Sequence, residues 1–386
     1  MKKRTFSLCA SRRKRAALAM SEAPLNGARL ETLRRIHGLT QRDLGARLSI
    51  HPSQLSRIES GEKPLVSSLA HAASSAFGEP LSFFTVSNNP VHLGPPAFRR
   101  RAAATAQEQA RIQELFREAA RVFFLVSQAS GYHAAALPVV IDSSDPERLA
   151  EDLRRETGIG RTAPIANLVR TLERLGVGVV TDLDEAHEAD RRDISGIAMP
   201  TVQNERPIVA TPMIGRGDVQ RMTLAHELGH LIFDGRAATI SCSTRSPQEK
   251  RAFAFGSAFL LPRTVVEDRI TDASTLRDYL EVKADYGISA KAVMYRAMRL
   301  GLISEARHRT LSIQHSSRGW TQEEPVAVAV ESPLLVSQAL TRVYPTATFA
   351  RASHELGVAP ERLRRWTGRL ESDEAHTAPV TVLRQR

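Results

Sequence analysis

The 386-residue sequence has only two cysteines, Cys9 and Cys242. So few and so distant a pair excludes a disulfide-stapled scaffold and a thiolate zinc cluster, and makes the cytoplasm the expected compartment. No apolar run approaches the roughly 20 residues that a membrane helix needs, so no membrane partner is expected. The basic start, MKKRTFSLCASRRKRAALAM, lacks the sustained apolar segment of a secretory signal. There is no internal repeat and no long low-complexity tract.

What the chain does have is positive charge. Lys and Arg number 53 against 42 Asp and Glu, for a net +11. Such a balance favours contact with phosphate, because each neutralised phosphate releases counterions, although a soluble surface alone can carry it. The charge is uneven: Lys2, Lys3, Arg4, Arg12, Arg13, Lys14 and Arg15 precede any acid. Residues 1–24 therefore read as a disordered basic arm that lies along DNA, or as an over-extended start, since Met20 opens a plausible N-terminus of its own.

From Ala28 the apolar residues fall at helical spacing, with Leu30, Leu33 and Ile36 on one face and Gly38 ending the helix. Thr40 caps a second helix, Gln41 to Leu48, and a break at 49–51 leads to a third that Pro52 opens. Val66, Leu69, Ala70, Ala73 and Phe77 mark a fourth. Short helices joined by a tight turn are the helix-turn-helix plan; a plain four-helix interaction module is the alternative. The stretch LTQRDLGARLSIHPSQLSRIESG resembles the Cro/C1-type (XRE) helix-turn-helix family over about 60 residues. That resemblance implies that Gln41 caps a backbone phosphate, that Ser53, Gln54 and Arg57 meet base edges, and that Lys63 contacts phosphate. Arg57 suits guanine and Gln54 adenine. The turn position often held by glycine is Ser49, whose left-handed backbone costs on the order of 1 kcal/mol.

Residues 88–96, NNPVHLGPP, have the breakers of a linker. The stretch AFRRRAAATAQEQARIQELFREAARVFFLVSQ reads as one or two helices, with Arg99, Arg100 and Arg101 either touching DNA or solvating a helix start. Asp145 to Glu156 reads as a helix, and a further helix runs from 162–165 through Leu175. Residues 176–180, 194–199 and 207–211 read as short strands.

The chemistry lies in TLAHELGH, residues 223–230. On a helix, residues four apart share a face, so His226 and His230 can offer two imidazoles to one metal, with Glu227 beside them to take a proton from an activated water. Two buried histidines in ordinary hydrogen bonds are the bland alternative. A third histidine is excluded where one family of zinc peptidases has it, because Phe233 and Arg236 occupy those places. A glutamate about twenty residues downstream is the other common solution, and Glu249 fits. Glu249, Ala252 and Gly256 share one helical face, and small residues there let the two helices approach closely. Asp234 either orients a ligand histidine or is solvated near the helix end. His187 reads as merely exposed.

The combination Arg221-x-x-x-AHELGH, the preceding RPIVAT, the run from Glu249 to Pro262 and the later YGISAKAVMYRAMRLGLIS resemble the ImmA/IrrE family of metallopeptidase-like proteins over about residues 145–305. The resemblance implies a zincin-like fold whose edge strand, 207–211, aligns an extended peptide beside the metal. It implies Zn2+ held by His226, His230 and Glu249, with Glu227 as general base. Candidates for stabilising the oxyanion are Arg221, Tyr279, Tyr286 and Tyr295. In the tail, 347–369 reads as helix, Gly357 turn, helix: a helical hairpin rather than a second helix-turn-helix.

The expected fold is mainly α and multidomain. Arm 1–24 precedes an all-α helix-turn-helix domain at 25–86, and a linker and helical region spans 87–144. An α+β zincin-like domain with a small sheet follows at 145–305, then a helical region at 306–386. The expected function is a transcriptional regulator, dimeric on a palindromic double-stranded DNA operator, whose zinc-dependent peptidase domain cleaves a regulator protein. The alternative is a regulator whose zincin fold is a non-catalytic sensor or a protein-interaction module of antitoxin or phage-immunity type.

Overall fold

The computed structural model describes residues 24–87, 90–100, 105–138, 140, 145–184, 194–212, 215–241, 243 and 245–368. The basic arm, both cysteines, Arg101, His187 and the end of the tail lie outside the described residues. Two compact units form. One takes the described residues up to 87 together with 350–360, and the other takes those from 90 to 349 together with 361–368.

The first unit opens with α1 (Ala28–Ile36), α2 (Gln41–Arg47), α3 (Pro52–Glu59) and α4 (Ser67–Phe77). Leu30, Leu33, Leu44, Leu55 and Ile58 are buried together, as their spacing predicts. Thr40 and Asp43 form a reciprocal capping box that starts α2. Ser49 does adopt the left-handed conformation, at φ 56°. Val66 departs from the expectation: it caps α4 from outside and is 53% exposed. A short 3-10 turn, Leu81–Phe84, closes the unit, and the guanidinium of Arg29 stacks on Phe83 at 4.0 Å while its Nε donates to the Phe83 carbonyl. Residues 350–360 join this unit through Gly357, at φ +62°, where a Cβ would lie 2.8–3.0 Å from Val86, Ser82 and Phe83.

The second unit is built on a four-stranded sheet, β1 (Ala97–Arg100), β2 (Gly178–Val180), β3 (Ile194–Ala198) and β4 (Ile208–Ala210), in the order β1-β3-β4-β2. β2 runs parallel to β4, while β3 is antiparallel to both β4 and β1. Two expectations are corrected. AFRR is a strand rather than a helix start, because it finds the open side of β3; the following helix is one piece, α5 (Ala106–Ala129), begun by the Thr105 cap. Strand 208–210 is not an edge, because β2 and β3 pair with its two sides.

Helices α6 (Pro146–Glu156) and α7 (Leu168–Arg174) precede β2. α7 starts later than expected, because Asn167 accepts from the Arg170 N–H and caps it there. Next come α8 (Gly217–Phe233), α9 (Pro247–Leu260), α10 (Arg263–Arg269), α11 (Leu276–Tyr286), α12 (Ala290–Arg299) and α13 (Glu305–Ser317). α8 is the central helix, buried on nearly every side and packed against α9, α7 and the sheet. The chain then returns through 324–335 into α14 (Leu335–Val343), which packs on α5 and β2. Helices α15 (Thr348–Leu356) and α16 (Pro360–Trp366) end the described chain, and Trp366 donates to the Leu183 carbonyl at 3.1 Å. Thus 97–129 and 306–343 both contribute elements to the unit that holds α8.

Candidate metal centre and DNA-reading face

Three glycines set the distances around α8. A Cβ at Gly229 would lie 2.9 Å from the Ala252 backbone, and one at Gly256 would lie 2.9 Å from the backbones of Ala225 and His226. These contacts let α8 and α9 approach closely enough for their side chains to share a site. Ser246 caps α9 by accepting from the Glu249 N–H, with Pro247 in the first turn, and so fixes Glu249 at the start of the helix.

The structure brings His226, His230 and Glu249 together. The two Nε2 atoms are 3.1 Å apart; Glu249 Oε2 is 3.1 Å from His226 Nε2, and Oε1 is 3.3 Å from His230 Nε2. Donors ~2.0–2.1 Å from one tetrahedral ion are spaced ~3.3 Å from each other, so this set suits a single small cation. His230 Nδ1 lies 2.6 Å from Asp234 Oδ2, and Asp234 is itself held by Arg251 Nη2 at 2.7 Å. An Asp acceptor on Nδ1 keeps a proton there, so that Nε2 is the nitrogen that could ligate once a cation takes the place of its proton.

The electrostatics favour positive charge at this point. Burial would push the His230 ring down, but hydrogen bonds to Asp234 and Glu249 and the charge of Glu227 outweigh it and raise it to about 10. Burial pushes Glu249 up, yet the two histidines outweigh that and hold it at about 2.

Glu227 is fully buried one residue on from His226. Its room comes from β3: a Cβ at Gly196 would lie 2.4 Å from Thr223 Cγ2 and 2.7 Å from Glu227 Oε1. The requirement for glycine at 196 was not read from the sequence, because a glycine in a short strand signals a close approach without saying to what.

The oxyanion candidates separate. Arg221 is engaged by Glu331 and by the Ile165 and Tyr286 carbonyls; Tyr286 donates to the Thr162 carbonyl at 2.5 Å; Tyr279 lies in the core. Tyr295 is 37% exposed and meets Phe253 edge-on at 5.5 Å, and Phe253 meets the His226 ring at 6.5 Å.

In the first unit, Ser53, Gln54 and Arg57 are exposed on α3, and Lys63 is half-buried beyond it. His51 caps α3 through Nδ1, which also takes the Ser53 hydroxyl at 2.7 Å. Arg57 Nε is 3.2 Å from Glu62, an exposed pair of the kind that contributes little to stability. Gln41 Nε2 donates to Glu59 Oε2 at 2.7 Å, and Arg34 holds the same carboxylate at 3.0 Å. The Gln41 amide thus joins α2 to α3 within the protein.

Residues 27–78 match the family model of a helix-turn-helix domain, and residues 215–298 match that of the IrrE N-terminal-like domain, a peptidase family. The chain therefore joins a helix-turn-helix domain, of DNA-binding type, to an IrrE N-terminal-like, peptidase-like domain. Among curated proteins none matches it. No helix among the described residues is long and apolar enough to cross a membrane.

Proposed function

We propose that the protein is a cytoplasmic, sequence-specific DNA-binding transcriptional regulator whose second domain is a zinc-dependent peptidase acting on a regulator protein. The observation that carries this reading is the buried cluster of His226, His230 and Glu249, with Asp234 behind one imidazole and Glu227 beside it. Two imidazoles and a carboxylate, with a fourth direction left for solvent, are the donor set of a hydrolytic zinc site.

His226, His230 and Glu249 would hold the zinc, which would supply Lewis acidity toward a peptide carbonyl and a water acidic enough to attack at neutral pH. Glu227, beside the cluster, would take the attacking water's proton on its carboxylate and give it to the departing amine. Asp234 holds the His230 ring in one tautomer, and Arg251 holds Asp234. On the DNA side, Arg57 and Gln54 read base edges, Ser53 supports them, and Gln41 and Lys63 anchor the backbone. A palindromic operator then calls for a homodimer.

The first test is elemental analysis of zinc in wild type and in Glu249→Ala. One zinc per chain in the first and a marked loss in the second supports the site. No zinc in wild type after reconstitution removes the peptidase reading. A second reading is a non-catalytic sensor or protein-interaction module, and one observation favours it: β3, the strand beside Glu227, is paired on both sides.

A further inference from the structure

A peptide is most readily held as an added strand on a free sheet edge. For Glu227 to serve it, that strand must lie next to β3, because Gly196 is where the sheet meets the Glu227 carboxylate. Both sides of β3 are taken, by β4 and by β1. The sheet's open sides among the described residues are the outer sides of β1 and β2. A peptide outside β1 would lie two strand spacings, ~9.5 Å, from β3, and one outside β2 farther still. A general base works within about 2.6–3.2 Å, or through one water, so neither open side serves the site.

The peptide that does lie one spacing from β3 is the chain's own. β1 is antiparallel to β3 with Ala97 opposite Ala198, Phe98 opposite Ile197 and the Arg99 backbone opposite Gly196. α8 packs against β1 as well as β3. Phe98 is 4% exposed and anchors the strand. The ladder is short and irregular, four residues with a register shift between Arg99 and Arg100. Such an irregularity disrupts pairing locally, so β1 holds β3 through few ladder bonds.

We infer that β1 occupies the place of the substrate strand, so that residues 97–100 hold the site closed until an extended peptide with a large apolar residue at the Phe98 position displaces them. The inference rests on the peptidase reading for its purpose, but the strand exchange itself requires no turnover.

The test uses the full chain and the synthetic peptide GPPAFRR, the sequence of residues 94–100. Successive N–H groups of a strand point to opposite sides, so Arg99→Pro/Arg100→Pro removes a donor that β3 uses. Phe98→Ala removes the anchor while leaving the backbone intact, and keeps the test open if the double variant does not fold. The expected result is peptide binding at least tenfold tighter to either variant than to wild type, with the amides of 194–198 regaining protection from hydrogen exchange when it binds. GPPAARR should bind the variants at least tenfold more weakly than GPPAFRR. Equal affinity for wild type and variants, binding to none of them, or binding without protection of 194–198 overturns the inference. Absence of zinc from every form after reconstitution would overturn the peptidase reading and leave the exchange result standing. Equal casein cleavage by wild type and both variants would overturn the inference and leave the peptidase reading standing.

Discussion

Asp234 Oδ2 lies 2.6 Å from Nδ1 of His230, one helical turn along α8, with both side chains almost wholly buried. The contact ties the end of the helix to the tautomer of a candidate ligand. Asp234→Asn should therefore lower zinc affinity roughly 10- to 100-fold. Competition against a chromophoric chelator measures it. A loss of thermal stability with unchanged affinity would assign Asp234 to the Arg251 contact alone.

Close packing of α8 on α9 depends on Gly229. A methyl group there meets backbone rather than a movable side chain, so Gly229→Ala should destabilise the protein by ~1–3 kcal/mol and weaken zinc binding with it. Urea unfolding and zinc titration check both. Stability and affinity at wild-type values would mean that the two helices can separate without cost.

Lys283 Nζ bridges Asp218 and Glu324 at 2.9 and 2.8 Å, with all three side chains buried. Burial pushes both carboxyls up, but hydrogen bonds from Arg216 and Lys283 to Asp218, and from Lys283 and His315 to Glu324, hold each below its ordinary value of 3.8 or 4.5. A depressed carboxyl contributes stability that is whole above its unfolded value and is lost as pH falls through the folded one. Unfolding free energy should thus decline below pH ~4.5. Glu324→Gln should flatten that decline, while costing ~3–5 kcal/mol at neutral pH for the buried charge left behind. A decline as steep in the variant as in wild type would place the acid sensitivity elsewhere.

On the DNA side, Arg57→Ala should cost ~1–3 kcal/mol at one base position of the operator, whereas Lys63→Ala should weaken all sequences alike and reduce the salt slope by about one. Binding measured across an operator library at several salt concentrations separates the two. A uniform loss with Arg57→Ala would sink its base-reading role.

The helices of the first unit were legible because of their one-sided apolar stripes, and two of them also have an explicit start, Thr40 for α2 and Pro52 for α3. The gathering of His226, His230 and Glu249 was legible too, from the four-residue spacing in HELGH and from the helical face that Glu249 shares with Ala252 and Gly256. Sheet order was not legible. β2 and β4 are three residues each, too short to show which will be central, and AFRR carries two charged residues in four. Its pairing is decided by the open side of β3, a tertiary fact. The partners of Arg221 were equally hidden, since Glu331 stands 110 residues away.

That Glu331 contact bears on where the second unit can be cut. Besides Arg221, the Glu331 carboxylate accepts from the Val169 N–H at 2.7 Å, and its backbone pairs in both directions with the Gln220 side chain at 2.8 Å. Glu173 accepts from the N–H groups of Leu334 and Leu335 at 2.8 and 2.7 Å. A fragment ending at residue 305 would keep the whole of the matched peptidase-like segment. It would also take the Glu331 carboxylate from Arg221, the Glu331 backbone from the Gln220 amide, and the Leu334 and Leu335 N–H groups from Glu173. The hydrogen bonds that brace the start of the histidine helix thus run past the stretch that looks like a peptidase, as far as residue 335 at the start of α14.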